Sequence, residues 1–131
     1  MRRLLIDTHV LVWALTEPER LPGSLRDSLM DRRVALFVSA ATAWEIATKH
    51  RLGRLPAADP IVLAYEEHLD HLDARELPVS SRHALAAGAL EWDHRDPFDR
   101  TLAAQSLLES LPLATADTAF KGLAGVRTTW S

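Results

Sequence analysis

The stretch at residues 3–15 reads RLLIDTHVLVWAL, and it indicates the class of fold. Its first part, Arg3-Leu4-Leu5-Ile6, is a short apolar run typical of a buried strand, while the apolar residues between Val10 and Leu15 predict a helix. Asp7 follows the strand directly. A buried strand that continues at once into a helix is typical of parallel sheets, because parallel neighbours need a crossover connection.

The same alternation continues to the end of the chain. Further strands are predicted near residues 34–38, 75–78, 113–115 and 126–128, and helices near 23–30, 40–52, 59–72, 81–90, 97–110 and 118–121. Right-handed crossovers between such strands produce a mainly parallel sheet with helices on both faces. We therefore predict an α/β fold with three layers, α/β/α, and a sheet of four to five strands, formed by one domain over residues 1–131.

Composition and charge exclude several classes of protein. The chain is 47% hydrophobic and 25% charged, as globular domains are, and it has no cysteine for a disulfide, a thiolate zinc site or a thiol nucleophile. Its net charge of −3 combines +3 over residues 1–58 with −6 over residues 59–131, so no uniformly basic nucleic-acid surface is expected. Without a membrane-length apolar run or a signal peptide, we expect a soluble, cytoplasmic protein with no membrane partner.

Five carboxylates lie where the predicted topology brings side chains together. They are Asp7, Glu45, Asp96, Asp99 and Asp117. Asp7 and Asp117 follow predicted strands, and Glu45 lies near the second turn of the helix after the second strand. Asp96 and Asp99 open the helix that precedes the fourth strand. Ligands of open parallel sheets bind beyond the carboxyl ends of the strands. Clustered oxygen ligands without cysteine favour Mg²⁺ or Mn²⁺, and such an ion activates water for phosphodiester hydrolysis.

Each carboxylate also has a purely structural interpretation. Asp7, Asp96 and Asp117 stand at positions where aspartate caps a helix N-terminus, and Asp99 lies in a first turn, where the helix dipole favours a negative charge. Glu45 and Lys49 are four residues apart, and their structural interpretation is a surface ion pair worth about 0.3–0.5 kcal/mol. The residues alone therefore leave the metal site and the helix caps as alternatives.

A succession of short motifs carries a more specific signal. The chain reads LLIDTH at 4–9, VSAA at 38–41, WEIA at 44–47, RLGRL at 51–55, HRDPFDR at 94–100, AQ at 104–105 and ATAD at 114–117. In this order and spacing it resembles the PIN-domain ribonucleases that act as VapC-type toxins of type II toxin–antitoxin pairs. It departs from the family pattern at Thr101 and Ser106, neither of which is an acid.

The resemblance implies a role for particular residues. The acids matching the family's Mg²⁺- or Mn²⁺-binding catalytic set are Asp7, Glu45, Asp99 and Asp117. Asp96 matches a supporting acid, and Thr8 and Thr115 match hydroxyls that support the acids through hydrogen bonds. The expected function is a metal-dependent endoribonuclease toxin that hydrolyses RNA through a metal-activated water.

The resemblance also implies partners. These are a cognate VapB-type antitoxin that crosses the active-site groove, an RNA substrate of the tRNA or rRNA class, and a second copy of the chain in a homodimer, to which Trp13 is expected to contribute. Two alternatives are weighed against the toxin. A catalytically inactive PIN-like binding module would sequester antitoxin or RNA, and a flap-type DNA nuclease would need more chain than is present.

Overall fold

Five parallel strands form the centre of the fold in the computed structural model, which describes residues 2–131 apart from the side chain of Ala57. Met1, the first residue of the predicted domain, lies outside the described residues. The strands are β1 (Arg3–Ile6), β2 (Ala35–Ser39), β3 (Ala74–Leu77), β4 (Leu113–Ala114) and β5 (Thr128–Thr129). They are arranged in the order β3-β2-β1-β4-β5, and all four neighbouring pairs are parallel.

Helices cover both faces of this sheet. They are α1 (Thr8–Thr16), α2 (Gly23–Met30), α3 (Ala40–Arg51), α4 (Asp59–Leu63), α5 (Tyr65–His71), α6 (Ser81–Ala89) and α7 (Pro97–Glu109), with 3₁₀ turns at Pro18–Arg20, Pro56–Ala58 and Thr118–Gly122. No helix within residues 2–131 is long and apolar enough to cross a membrane.

The central strand β1 shows why the fold has three layers. Its side chains alternate between two hydrophobic clusters: Leu4 and Ile6 pack with Leu25 on one side, and Leu5 packs with Leu102 and Phe120 on the other. Because successive side chains of a strand point to opposite faces, the sheet is covered on both. The predicted α/β/α architecture and the parallel sheet are confirmed, with five strands.

Two details differ from the sequence predictions. The predicted helix over 59–72 is two helices, α4 and α5, because Ala64 between them has φ −140° and ψ 45°, outside the helical region. Ile61 and Leu69 are buried in the same hydrophobic cluster from either side of this break. The sequence of α2 also predicts one apolar stripe of Leu25, Leu29 and Met30; Leu25 and Leu29 are buried, but Met30 is 80% exposed.

The carboxyl ends of the strands place polar residues at one edge of the sheet. Asp7 follows β1 and caps α1, while Ser39 ends β2 and caps α3 by accepting a hydrogen bond from the Ala41 amide. Asp117 follows β4 by three residues and caps the last 3₁₀ turn. Because these strands are parallel neighbours, their following residues converge at this edge.

Candidate active site

A cavity of about 210 Å³ opens at this edge of the sheet. It is lined by all five candidate acids and four further residues: Asp7, Thr8, His9, Glu45, Lys49, His94, Asp96, Asp99 and Asp117. A larger, mostly apolar cavity of about 450 Å³ is lined by residues of α2 and of the segments just before β2 and β3, and it contains none of these acids. The smaller, polar cavity is therefore the candidate active site.

Asp7 is buried at the base of this cavity. Its Oδ1 accepts a hydrogen bond of 3.0 Å from the Val10 amide, which is the predicted cap of α1, and its Oδ2 accepts one from the Thr115 hydroxyl. Burial raises the pKa of Asp7 above its ordinary value, although these two hydrogen bonds oppose the rise. Asp7 thus caps α1 and lines the cavity at the same time.

Glu45 approaches the cavity from α3. Its Oε1 accepts a hydrogen bond from the Thr8 hydroxyl, and its Oε2 lies 2.5 Å from Lys49 Nζ. The expected ion pair is present, but the surface location was wrong: the side chains of Glu45 and Lys49 are only 4% and 26% exposed. The pair is buried because α3 packs against both α1 and α7.

Asp96 and Asp99 lie at the start of α7, which places both of them in the cavity. Asp96 accepts hydrogen bonds from the Phe98 and Asp99 amides and so caps the helix, as predicted. Asp99 lies one turn further on, with its Oδ2 2.6 Å from His94 Nε2. Burial raises the pKa of Asp99 to about 6; the His94 hydrogen bond opposes the rise, and the charges of Asp96 and Glu45 add to it.

Asp117 forms the exposed side of the cavity. Its Oδ1 accepts a hydrogen bond of 2.9 Å from the Ala119 amide, which confirms it as a cap. Its own amide donates to the Thr115 hydroxyl oxygen at 3.0 Å, and that hydroxyl donates in turn to Asp7. Thr115 therefore fixes the positions of two acids that follow different strands.

His94 is a lining residue to which sequence reasoning assigned no role. It lies in the irregular segment between α6 and α7, where no periodicity predicts a side chain's direction. Together with Asp99 and Asp117 it offers three ligand atoms that lie within 4.8 Å of one another. The one sequence signal was its place at the start of the HRDPFDR motif, five residues before Asp99.

Arg100 holds this segment in place. Its guanidinium donates hydrogen bonds to five backbone carbonyl oxygens, which belong to Ala87, Gly88, Leu90, Trp92 and His94. The bonds to Trp92 and His94 are both 2.9 Å long. A single side chain of α7 therefore satisfies carbonyls at the end of α6 and in the loop that carries His94.

Replacement of Arg100 is expected to loosen that loop. Arg100→Met leaves five carbonyls without their donor, so we expect the free energy of unfolding to fall by about 2–4 kcal/mol. Amide hydrogen exchange over residues 88–95 should become faster than in the wild type. Arg95→Met, at an exposed position in the same segment, is the control and should leave both measurements unchanged. Equal exchange rates in wild type and Arg100→Met would contradict this role.

Comparisons with known proteins identify the family of this fold. The fold and the cavity define a class of α/β protein in which acids lie at the carboxyl ends of a parallel sheet. The PIN domain family model matches residues 4–126, and the chain belongs to the PIN domain family. A relative, ribonuclease VapC16 of Mycobacterium tuberculosis, is 34% identical over 58 residues. That match spans 44% of this chain and 41% of the relative.

Solved structures share the fold across the whole chain. The complex of VapBC with DNA from Salmonella typhimurium matches with a TM-score of 0.70 and 17% identity over 100% of both chains. VapBC2 from Rickettsia felis, bound to a promoter DNA fragment, matches with a TM-score of 0.69 and 14% identity over 98% of this chain and 99% of that one. A toxin–antitoxin complex from Klebsiella pneumoniae matches with a TM-score of 0.62 and 19% identity, covering 94% of each chain.

Proposed function

We propose that this protein is a metal-dependent endoribonuclease and the toxin of a toxin–antitoxin pair. The observation that carries the proposal is the convergence of Asp7, Glu45, Asp99 and Asp117, from four separate elements, on one cavity. Membership of the PIN domain family and the partial match to a protein named ribonuclease VapC16 support it. The proposed ions are Mg²⁺ and, as a substitute, Mn²⁺.

The donor set fits such an ion. The cavity brings five carboxylates together with one lysine, and two of the five, Asp7 and Asp99, have raised pKa values because they are desolvated. Desolvated carboxylates held close together need a cation or a proton, and hard oxygen donors prefer Mg²⁺ or Mn²⁺. When bound, the ion supplies the positive charge that lowers the pKa of water and stabilises the oxygen that leaves phosphorus.

The chain's own residues would hold the site in shape. Thr115 donates to Asp7, and Thr8 and Lys49 donate to Glu45, so both buried acids are fixed before any ligand arrives. Asp96 supports the site from its edge by capping the helix that carries Asp99. Asp117, the exposed acid, would be accessible to a phosphate backbone. Such preorganisation makes charge stabilisation effective.

The proposed partners follow from the same cavity. A VapB-type antitoxin would inhibit by placing a basic side chain among the carboxylates, where its charge replaces that of the metal ion. RNA of the tRNA or rRNA class is the proposed substrate, and a homodimer is the proposed assembly. The expected contribution of Trp13 to a dimer is reduced, because its ring packs against Trp130 and lies under the Arg20 guanidinium of its own chain.

One observation favours the alternative of an inactive binding module. Glu45 already accepts hydrogen bonds from Thr8 and Lys49 on its two oxygens, so part of the cavity's charge is balanced by the protein itself. A module that only binds antitoxin or RNA would need no further cation. Metal-dependent cleavage separates the two candidates.

The test is cleavage of total cellular RNA by the purified protein with Mg²⁺, with Mn²⁺ and with EDTA. We expect a few discrete products with either ion and none with EDTA, because phosphodiester hydrolysis here needs the ion's charge. Addition of the protein encoded by the neighbouring gene should abolish cleavage. Intact RNA under every condition, with folded protein free of antitoxin, would support the binding module.

A further inference from the structure

We propose that the imidazole of His94 is a ligand of the ion in this cavity, together with Asp99 and Asp117, and that it shifts the metal preference toward Mn²⁺. This inference rests on the proposed function, because it concerns the ion which that function requires. It adds a nitrogen donor to a site whose other donors are carboxylates.

The distances between the three donor atoms fit one ion. All lie within 4.8 Å of one another, and His94 Nε2 is 2.6 Å from Asp99 Oδ2. Ligand atoms about 2.1 Å from an ion are about 3 Å apart when adjacent and about 4.2 Å apart when opposite. The three donor atoms are therefore within about 1 Å of the separations that one ion requires. Binding would release the proton that His94 Nε2 and Asp99 Oδ2 share in the hydrogen bond.

The His94 ring is held ready for this role. It packs against the Trp92 ring with a centroid separation of 4.9 Å, and Trp92 packs in turn on the buried Phe120 ring at 5.5 Å. Arg100 fixes the backbone by donating to the carbonyl oxygens of Trp92 and His94. The side chain of His94 is 31% exposed, so its nitrogen is accessible from the cavity.

Nitrogen coordination affects the two candidate ions differently. Mg²⁺ prefers oxygen ligands and keeps much of its water shell. Mn²⁺ also takes carboxylates, but it belongs to the first-row transition metals, which accept nitrogen ligands beside them. Loss of His94 should therefore weaken Mn²⁺ binding more than Mg²⁺ binding. We expect His94→Gln to reduce Mn²⁺ affinity on the order of 10-fold, with a smaller effect on Mg²⁺.

A purely orienting role for His94 predicts something else. In that case the imidazole only donates a hydrogen bond to Asp99, and a glutamine amide that reaches the same carboxylate would replace it. The ion would then have oxygen ligands alone. Detection of nitrogen bound to the metal distinguishes the two roles independently of RNA cleavage.

The experiment uses the full chain loaded with Mn²⁺ and pulsed electron paramagnetic resonance, which detects the magnetic coupling of a coordinated imidazole nitrogen. We expect this coupling in the wild type and its loss in His94→Gln. His9→Gln, which changes the other histidine of the cavity, is the matched control and should keep it. Circular dichroism of each variant checks that it is folded, and calorimetric titration gives the Mn²⁺ and Mg²⁺ affinities.

Two results would overturn the inference in different ways. Bound Mn²⁺ without nitrogen coupling, or coupling that persists in His94→Gln, would remove His94 from the ligands and leave the proposed metal site intact. Failure of the folded wild type to bind either ion would overturn the proposed function together with this inference.

Discussion

Asp7→Asn is expected to lower RNA cleavage by at least about 10²–10³-fold while leaving the fold intact. Asp7 is buried, and the substitution removes its negative charge while keeping its size. The amide oxygen of asparagine can still accept from the Val10 amide, and the Thr115 hydroxyl can reverse its role and accept from the new amide group. The variant therefore keeps the cap of α1 and loses the negative charge of a proposed metal ligand.

The measurement compares cleavage rates of wild type, Asp7→Asn and Asp27→Asn at saturating Mg²⁺. Asp27 lies on the exposed side of α2, so its variant controls for the loss of one negative charge and should cleave at the wild-type rate. Thermal unfolding should show Asp7→Asn folded, with a melting temperature no lower than the wild type in EDTA. Wild-type cleavage by Asp7→Asn would sink the proposed mechanism.

The acids that directly follow strands were the most predictable part of the site. Asp7 comes immediately after β1 and Asp117 shortly after β4, and parallel strands bring such positions to the same edge. Asp96 was predictable as a cap because proline follows it at the first helical position. The fold could be predicted for the same reason: short apolar runs alternate with amphipathic stretches along the chain.

The surroundings of Glu45 were not predictable from spacing. A glutamate and a lysine four residues apart form a pair on any helix, and only the packing of neighbouring helices decides whether that pair is buried. Here the contacts of α3 with α1 and α7 bury Glu45 and place the Thr8 hydroxyl on its other oxygen. A tertiary arrangement thus converted an expected surface pair into part of the cavity.

His94 shows the same limit for irregular segments. Its position depends on the five hydrogen bonds that Arg100 donates to the surrounding backbone. Neither hydrophobic periodicity nor turn chemistry encodes such a set of side-chain bonds across 6 to 13 residues of sequence. The place of His94 in the cavity therefore depends on tertiary contacts that the sequence pattern does not encode.

Asp99→Asn is expected to stabilise the metal-free protein at neutral pH, although it removes a proposed ligand. The pKa of Asp99 is raised from 3.8 to about 6 by burial and by the neighbouring acids. A carboxyl group whose pKa is raised by folding stabilises the folded state fully below its pKa in the unfolded state. That stabilisation is lost as the pH rises through its pKa in the folded state. Above about pH 6, the ionised Asp99 therefore destabilises the folded state relative to a neutral asparagine.

The size of the effect follows from the shift. Two pKa units correspond to about 3 kcal/mol, and partial exposure to solvent reduces this to about 1–2 kcal/mol. We expect urea unfolding in EDTA at pH 7.5 to show Asp99→Asn more stable by this amount. At pH 4 the two proteins should differ little. Asp93→Asn, an exposed change in the preceding loop, is the control and should show no such pH-dependent gain.

Addition of Mg²⁺ should reverse the order of stability. A ligand that binds only the folded state stabilises it by RT ln(1 + L/Kd), where L is its free concentration, which is about 2.7 kcal/mol when L is a hundred times the dissociation constant. The wild type gains this stabilisation, while Asp99→Asn, lacking a ligand, gains less. Lower stability of Asp99→Asn in EDTA at pH 7.5 would instead mean that the hydrogen bond from His94 outweighs the cost of burying the charge. The charge of Asp99 in the wild type would then be satisfied by the protein's own residues. This is expected of a binding module rather than of a site that requires an ion.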